Sequence, residues 1–375
     1  GDYPAVMLRN KPLFVPDQIV WCVFNDLGGP HLSSNGGEFG MEVQLTAWAF
    51  NSTEPANLAN TIFTSHKLIY RGLETVTDFR MGVWADFDLG CYLDDYIGCS
   101  PARNTFFAYN QDAVDGQPGN TCPSIPVSNV VPVFEFTPVQ TVTLLDQPMA
   151  NFMTYVNPGT GNPQVATTDP VFMDDYLNYL QGKWRDGSPL TVGGTGFDPG
   201  SSETTAFAYP DDPADPLGWS MCAANLPSAD RRSLGVADLG TLLPGAVNEV
   251  SVAWTLHPNI LGPCNLGNSL EQVDSIQQVF NSGFTGVVSA PEQLLLDSAF
   301  KLFPNPAQEV LHLDYQGLTV HAIRCYDAAG RLVLQEKQPA AGAARLSVQS
   351  LRPGVYFLQA FCAEGLVNRR FVVAR

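Results

Sequence analysis

Apolar and polar positions alternate along much of this chain with the period of two that marks half-buried strands. Residues 19–24 form a continuous apolar run closed by Asn25-Asp26-Leu27-Gly28-Gly29. Residues 41–46 alternate strictly and turn apolar on both faces through 47–50, and runs at 61–70 and 77–84 follow at regular spacing. Four such strands with turn signals between them predict a β-sandwich. Far downstream, residues 249–255 read as another core strand. Leu270, Val273, Ile276, Val279 and Phe280 then recur at helical spacing up to Gly283, which predicts one amphipathic helix. Between 115 and 245 the pattern is weak and rich in Gly, Pro, Asn and Asp, and that stretch is expected to form long excursions from the sandwich. The final 75 residues regain a clear pattern, with strands expected at 310–314, 320–327, 332–335, 346–348, 355–361 and 371–373 and turns at Gly330, Gly342, Gly354 and Gly365.

The fold class is therefore mostly β. A large β-sandwich domain with long loops and one helix is expected over 1–295, and a small strand-rich module over 296–375. Within that module stand Phe303-Pro304-Asn305-Pro306, then Tyr326-Asp327-x-x-Gly330-Arg331-Leu332, then Leu351-x-x-Gly354-Val355-Tyr356, and a basic, β-branched end. This ordered set resembles the type A C-terminal sorting domain of the Bacteroidota type IX secretion system. The resemblance implies a small Ig-like β-sandwich, synthesis with a signal peptide, and passage through the periplasm. It also implies export across the outer membrane by the type IX machinery, and a final place outside the cell or on its surface. It is an address and not an activity.

Val20-Trp21-Cys22-Val23-Phe24-Asn25-Asp26 with His31, Gly40-Met41-Glu42-Val43, and Trp84-x-Asp86-x-Asp88-Leu89-Gly90 through Asp94-Asp95-Tyr96-x-Gly98-Cys99 and Tyr109-Asn110 form a second block. Lys183-Trp184-x-Asp186-Gly187 through Gly193-Gly194 and Asp230-Arg231-Arg232 continue it. The block resembles large type IX-exported surface proteins, which implies surface location and fold but no activity.

Composition narrows the classes. Gly 33 and Pro 29 make about one residue in six, above the average of about 12 %, which suits many short strands and long loops. No run of 18 apolar residues occurs, so no membrane-spanning helix is expected. The chain opens at Gly1 without a charged-then-apolar leader and is read as a form after signal-peptide removal. Net charge is −18, and the acidic excess lies wholly before residue 300, which argues against nucleic acid as a partner. It leaves room for divalent cations.

Alternate aspartates after a strand, with Gly90 freeing the turn, can aim several hard oxygens at one point. Asp86, Asp88, Asp94 and Asp95, with Asn110, Asp112 and Asp115 as weaker members, form the candidate Ca²⁺ site. The competing reading is a solvated acidic loop whose side chains close turns. Asp211-Asp212-Pro213-Ala214-Asp215-Pro216 reads as rigid turn structure. Asp230-Arg231-Arg232 reads as an internal ion pair, with an anion- or sugar-binding patch as the alternative.

The eight cysteines imply disulfides in an oxidising compartment. Cys325 and Cys362, both in the tail module, are expected to pair, as are Cys91 and Cys99 across the acidic loop. Cys22, Cys122, Cys222 and Cys264 can pair in three ways.

No Gly-x-Ser-x-Gly elbow, His-Glu-x-x-His helix or phosphate loop is present, and no His has a nucleophile at recognisable spacing. The leading expectation is thus a non-enzymatic structural or adhesive surface protein, in a more specific form one that self-assembles into a homo-oligomer, filament or array. A carbohydrate-binding protein whose Trp84, Trp184 or Trp219 stacks on glycans is the second expectation. A secreted hydrolase is the third, since paired carboxylates need no local motif.

Overall fold

The computed structural model describes residues 7–8, 11–12, 16–29, 31–52, 58–112, 137–158, 164–260, 262–284, 299–327, 331–337, 339–362 and 365–374. The chain divides into two compact units, Gly1–Val287 and Val288–Arg375. A two-strand ladder, β1 (Met7–Leu8) with β2 (Lys11–Pro12), opens the first. Then come β3 (Gln18–Asn25), β4 (Met41–Ala49), β5 (Thr61–Tyr70), β6 (Val76–Asp86), β7 (Asp95–Ser100), β8 (Thr105–Asn110), β9 (Thr137–Leu144) and β10 (Met149–Val156). After α1 (Met173–Leu180) follow β11 (Arg231–Leu242), β12 (Val247–Ile260) and α2 (Ser269–Asn281).

These strands build a seven-stranded sheet, β3-β4-β5-β12-β9-β8-β7, and a three-stranded sheet, β10-β11-β6. The two layers share one core, in which Phe106 of β8 stacks on Phe152 of β10 at 5.2 Å. Gly235 of β11 lies against the Phe106 ring, and a Cβ there would stand 2.6 Å from it. Only bare backbone lets the layers close to this spacing.

The expected helix is α2. Its Ile276, Val279 and Phe280 bury with Trp48, Phe63 and Ala253 in a second cluster that includes large-sheet residues. Each side chain of this size contributes about 1.5–3 kcal/mol on full burial. Gly283, with φ 69°, stops the helix in the left-handed conformation. Arg103 holds Asp274 of α2 through two hydrogen bonds of 2.9 Å.

The weakly patterned region is more ordered than its composition foretold. Residues 137–156 supply β9 and β10, buried almost throughout, and β11 is the central strand of the small sheet. Strands buried on both faces carry no alternation, so the period of two is lost where packing is tightest. A second helix, α1, was also not foreseen. It begins where the Asp175 carboxylate accepts the N–H groups of Val171 (2.8 Å) and Phe172 (3.1 Å) and pairs with Arg185. The apolar run at 19–24 forms β3, an edge strand with Val20, Val23 and Phe24 exposed.

The second unit comprises β13 (Lys301–Phe303), β14 (Val310–Asp314), β15 (Val320–Asp327), β16 (Leu332–Lys337), β17 (Ala343–Ser347), β18 (Gly354–Cys362) and β19 (Gly365–Val373). Sheets β13-β14-β17 and β16-β15-β18-β19 enclose Leu311, Leu313, Ile323, Leu358, Val367 and Phe371. The motif residues fasten this sandwich. Phe303 stacks on His312 at 5.6 Å. Asn305, between Pro304 and Pro306, accepts from the Val372 N–H at 2.8 Å and donates to the Arg370 carbonyl at 3.3 Å. Asp327 accepts from the Arg331 N–H at 3.0 Å and from its guanidinium at 2.8 Å. Leu351 is buried, Gly354 opens β18, and Tyr356 donates to the Arg352 carbonyl and stacks on Phe371. Gly330 lies outside the described residues.

Candidate functional site

On the outer face of the small sheet, α1 and the 169–170 turn wall a cleft of about 640 Å³. Alternation along β6 sends Arg80, Gly82 and Trp84 to this face, and alternation along β11 sends Arg232 and Leu234 there. Trp84 is 50 % exposed, yet its position is fixed, because its Nε1–H donates to the Tyr155 hydroxyl at 2.7 Å. Tyr155 in turn stacks on Tyr179 of α1 at 4.6 Å. Burial pushes the Tyr155 phenol up to about 12, so it stays neutral and able to hydrogen-bond at neutral pH.

One guanidinium organises the polar end. Arg232 pairs with Asp86 at 3.2 Å, with Asp169 at 3.7 Å, and with Asp230. Burial pushes the carboxyls of Asp86 and Asp169 above the ordinary aspartate range, and Arg232 pulls both part of the way back. Asp88 joins the group: oxygens of Asp86, Asp88 and Asp230 lie within 4.8 Å of one another.

The expected Ca²⁺ set is therefore split. Asp86 ends a strand of the small sheet, whereas Asp95 begins a strand of the large one, and Phe87 and Leu89 point into the core between them. Asp94 and Asp95 are buried, and Asp95 accepts from the Leu89 N–H at 3.0 Å. Asn110 faces Asp95 across β7 and β8. Neither Asp94 nor Asp95 joins the carboxylate group of Asp86, Asp88 and Asp230, nor does Asp112. Asp115 lies outside the described residues. Asp230, read from sequence as part of an ion pair or an anion- or sugar-binding patch and not as a metal ligand, takes their place.

The three tryptophans separate as well. Trp184 and Trp219 are 2 % and 9 % exposed and donate to the carbonyls of Gly196 and Gly194, so they anchor loops rather than meet a glycan. Asp211, Asp212 and Asp215 each accept a backbone N–H within their own loop, the turn role expected of them.

Of the disulfides, Cys222–Cys264 forms, with a Cα separation of 5.9 Å. Cys91 is disulfide-bonded, but not to Cys99, which keeps a buried thiol. Cys325 and Cys362 do not bond to each other either: Cys325 faces Leu358, and Cys362 faces Val320 at the other end of the β15–β18 ladder. A disulfide needs Cα atoms within about 7 Å, and five residues of strand separate these two positions.

Residues 301–374 match the family described as the secretion system C-terminal sorting domain. The chain is a type IX secretion cargo. Export to the outer surface or the medium follows from that sorting domain, as does engagement of the type IX machinery. No helix among the described residues is long and apolar enough to cross a membrane. The strands and motif residues that define the type IX cargo are those that hold the small sandwich closed. No curated protein matches the chain. Among solved structures, one of a polysaccharide lyase aligns at 9 % identity over 90 % of this chain and 34 % of that one, with a TM-score of 0.27. The cargo thus spans about a third of that chain's length, and a superposition this poor bears on neither fold nor activity.

Sequence reasoning singled out Trp84, Asp86 and Asp230-Arg231-Arg232 but not Arg80, Tyr155, Asp169 or Tyr179. The i, i+2, i+4 set Arg80, Gly82 and Trp84 was the available signal on β6. Asp169 and Tyr179 come from a loop and a helix that only the fold brings to that face.

Proposed function

We propose that this cargo is a non-enzymatic secreted or cell-surface adhesive protein that holds carbohydrate in the cleft beside Trp84. The observation that carries this reading is the half-exposed, hydrogen-bond-locked indole of Trp84 beside Arg80, Arg232 and Asp169. A rigid aromatic face takes the C–H face of a pyranose at small entropic cost, and the guanidinium and carboxylate groups beside it match ring hydroxyls. Binding is favoured over hydrolysis because Asp86 and Asp169 are pushed in the same direction and share one arginine. A glycosidase separates the roles of its two carboxyls. Glycan-array screening followed by calorimetry tests the reading. Trp84→Ala is expected to weaken the selected glycan at least tenfold with little change in melting temperature. An empty array, or unchanged binding by that variant, refutes it.

Calcium is a secondary element of the proposal, with Asp86, Asp88 and Asp230 as its oxygen donors. Titration of chelator-stripped protein that yields neither heat nor a melting shift removes it. Self-association is the second functional reading. It is favoured by β3, which has one strand neighbour among the described residues and exposes Val20, Val23 and Phe24. Phe24→Lys is then expected to shift sedimentation toward the monomer, and a wild-type chain that sediments only as monomer refutes it.

A further inference from the structure

Adjacent arginines on a strand point to opposite faces, and at the start of β11 this produces two unlike environments. Arg232 meets three carboxylates. Arg231 forms no ion pair among the described residues. One of its amino groups donates to the Pro227 carbonyl at 2.9 Å, while its Nε is sealed from solvent without a hydrogen-bond partner. The ionisable groups that act on it electrostatically are the phenols of Tyr209 and Tyr96. Both are pushed above their ordinary value by burial and are neutral at physiological pH. Their hydroxyls are committed to the carbonyls of Thr195 and Leu226. A partly desolvated guanidinium without a counter-charge among the described residues is costly, and burial accordingly pulls its proton affinity down.

Arg231 lines a cavity of about 290 Å³ separate from the Trp84 cleft, with Thr154, Thr167, Trp184, Phe197 and Ser228 among its walls. Tyr155 touches both spaces. The Thr154 and Thr167 hydroxyls donate to the carbonyls of Arg232 and Gln164, which leaves their lone pairs for a ligand's hydroxyls. The volume sits at the lower end for small-molecule sites, the size of one sugar ring. Acidic side chains, abundant elsewhere in this unit, are missing from the wall among the described residues: Asp230, the nearest in sequence, is turned away to Arg232 and Asn157.

We infer that this cavity binds a monosaccharide-sized carboxylate, a hexuronate in chemical class, with Arg231 as the receptor for the carboxyl group. With Nε sealed, the two terminal nitrogens of the planar guanidinium are the ones that present parallel N–H donors to a carboxylate, and hydroxyls and aromatic walls suit the remainder of a polyol ring. A neutral sugar of the same shape leaves the guanidinium uncompensated and binds poorly. The site stands on its own observations and does not require the Trp84 cleft to bind anything.

The test is calorimetric titration of the full chain with D-glucuronate and, in parallel, D-glucose. Glucuronate is expected to bind at least tenfold more tightly than glucose and to raise the melting temperature. Arg231→Gln is expected to lose that preference at least tenfold while melting no lower than wild type, because the substitution removes an uncompensated charge. Trp84→Ala is expected to keep glucuronate binding, which separates this site from the cleft. Equal or absent binding of the two sugars overturns the inference. So does an Arg231→Gln variant that melts markedly lower and shows an unchanged preference, since Arg231 is then a structural residue.

Discussion

Replacing Arg232 by methionine removes the cation that pairs with Asp86, Asp169 and Asp230 while keeping most of the side-chain volume. Arg232 is 14 % exposed, and the three carboxylates it pairs with are 30 %, 36 % and 16 % exposed. Breaking a fully buried pair costs about 3–5 kcal/mol and an exposed one about 0–1 kcal/mol. This half-buried cluster falls between, so a loss of about 2–3 kcal/mol is expected at pH 7. In a domain of this size that corresponds to a melting temperature lower by about 5–10 °C. The pH dependence separates charge from packing. The carboxyls of Asp86 and Asp169 already stand above their unfolded values. Their contribution to stability is therefore most favourable at low pH and is lost as pH rises through the folded value. Without Arg232 to pull them down, both rise further, and protonation restores more stability to the variant than to the wild type. The gap in melting temperature is thus expected to narrow as pH falls from 7 toward about 4, near the ordinary aspartate value. Differential scanning calorimetry at five or six pH values measures it. A gap that stays constant across that range refutes the electrostatic account and leaves Arg232 as a packing residue.

Two further outcomes are expected. Opening Cys222–Cys264 by Cys222→Ser frees a loop with a sequence separation of 42, for which chain entropy predicts a loss of about 4 kcal/mol. A thermal melt of the variant beside wild type checks it, and a change under about 1 kcal/mol shows that the unfolded chain is already restrained there. In native alkylation followed by mass spectrometry, the exposed Cys22 is expected to react well before Cys99 and Cys325. Burial holds both of those thiols above their ordinary value, Cys325 at about 12; equal labelling rates contradict the burial.

The sorting domain was legible because its strands alternate and its turn residues are local: Asn305, Asp327 and Arg331 bind groups close by on the chain or on one neighbouring strand. In the large unit the early strands were legible for the same reason, as β4 and β5 show. Strands β9, β10 and β11 were not, because both of their faces are buried or their runs are broken by glycine. The carboxylate cluster was half legible. Asp86 and Asp88 announce themselves by spacing, but Asp230 reaches them only through pairing of β6 with β11, and Asp169 only through the loop bridged at Thr168 to Val156 of β10. The disulfide expectations failed where closeness in sequence, or membership of one module, was taken for closeness in space. Cys91 stands in the turn before β7 while Cys99 lies within that strand, and Cys325 and Cys362 sit at different rungs of one ladder.

The missing side chain at Gly235 decides more than a packing distance. A one-position shift of β11 that carried Leu234 to the place of Gly235 would push it against the Phe106 ring, where even one methyl does not fit. That misfolded alternative would otherwise cost little at the acidic cluster, since Arg231 would simply take the place of Arg232. The glycine is thus the proofreading element of the small sheet. It ensures that of two identical neighbouring cations one is always neutralised and the other is always left with its charge unspent.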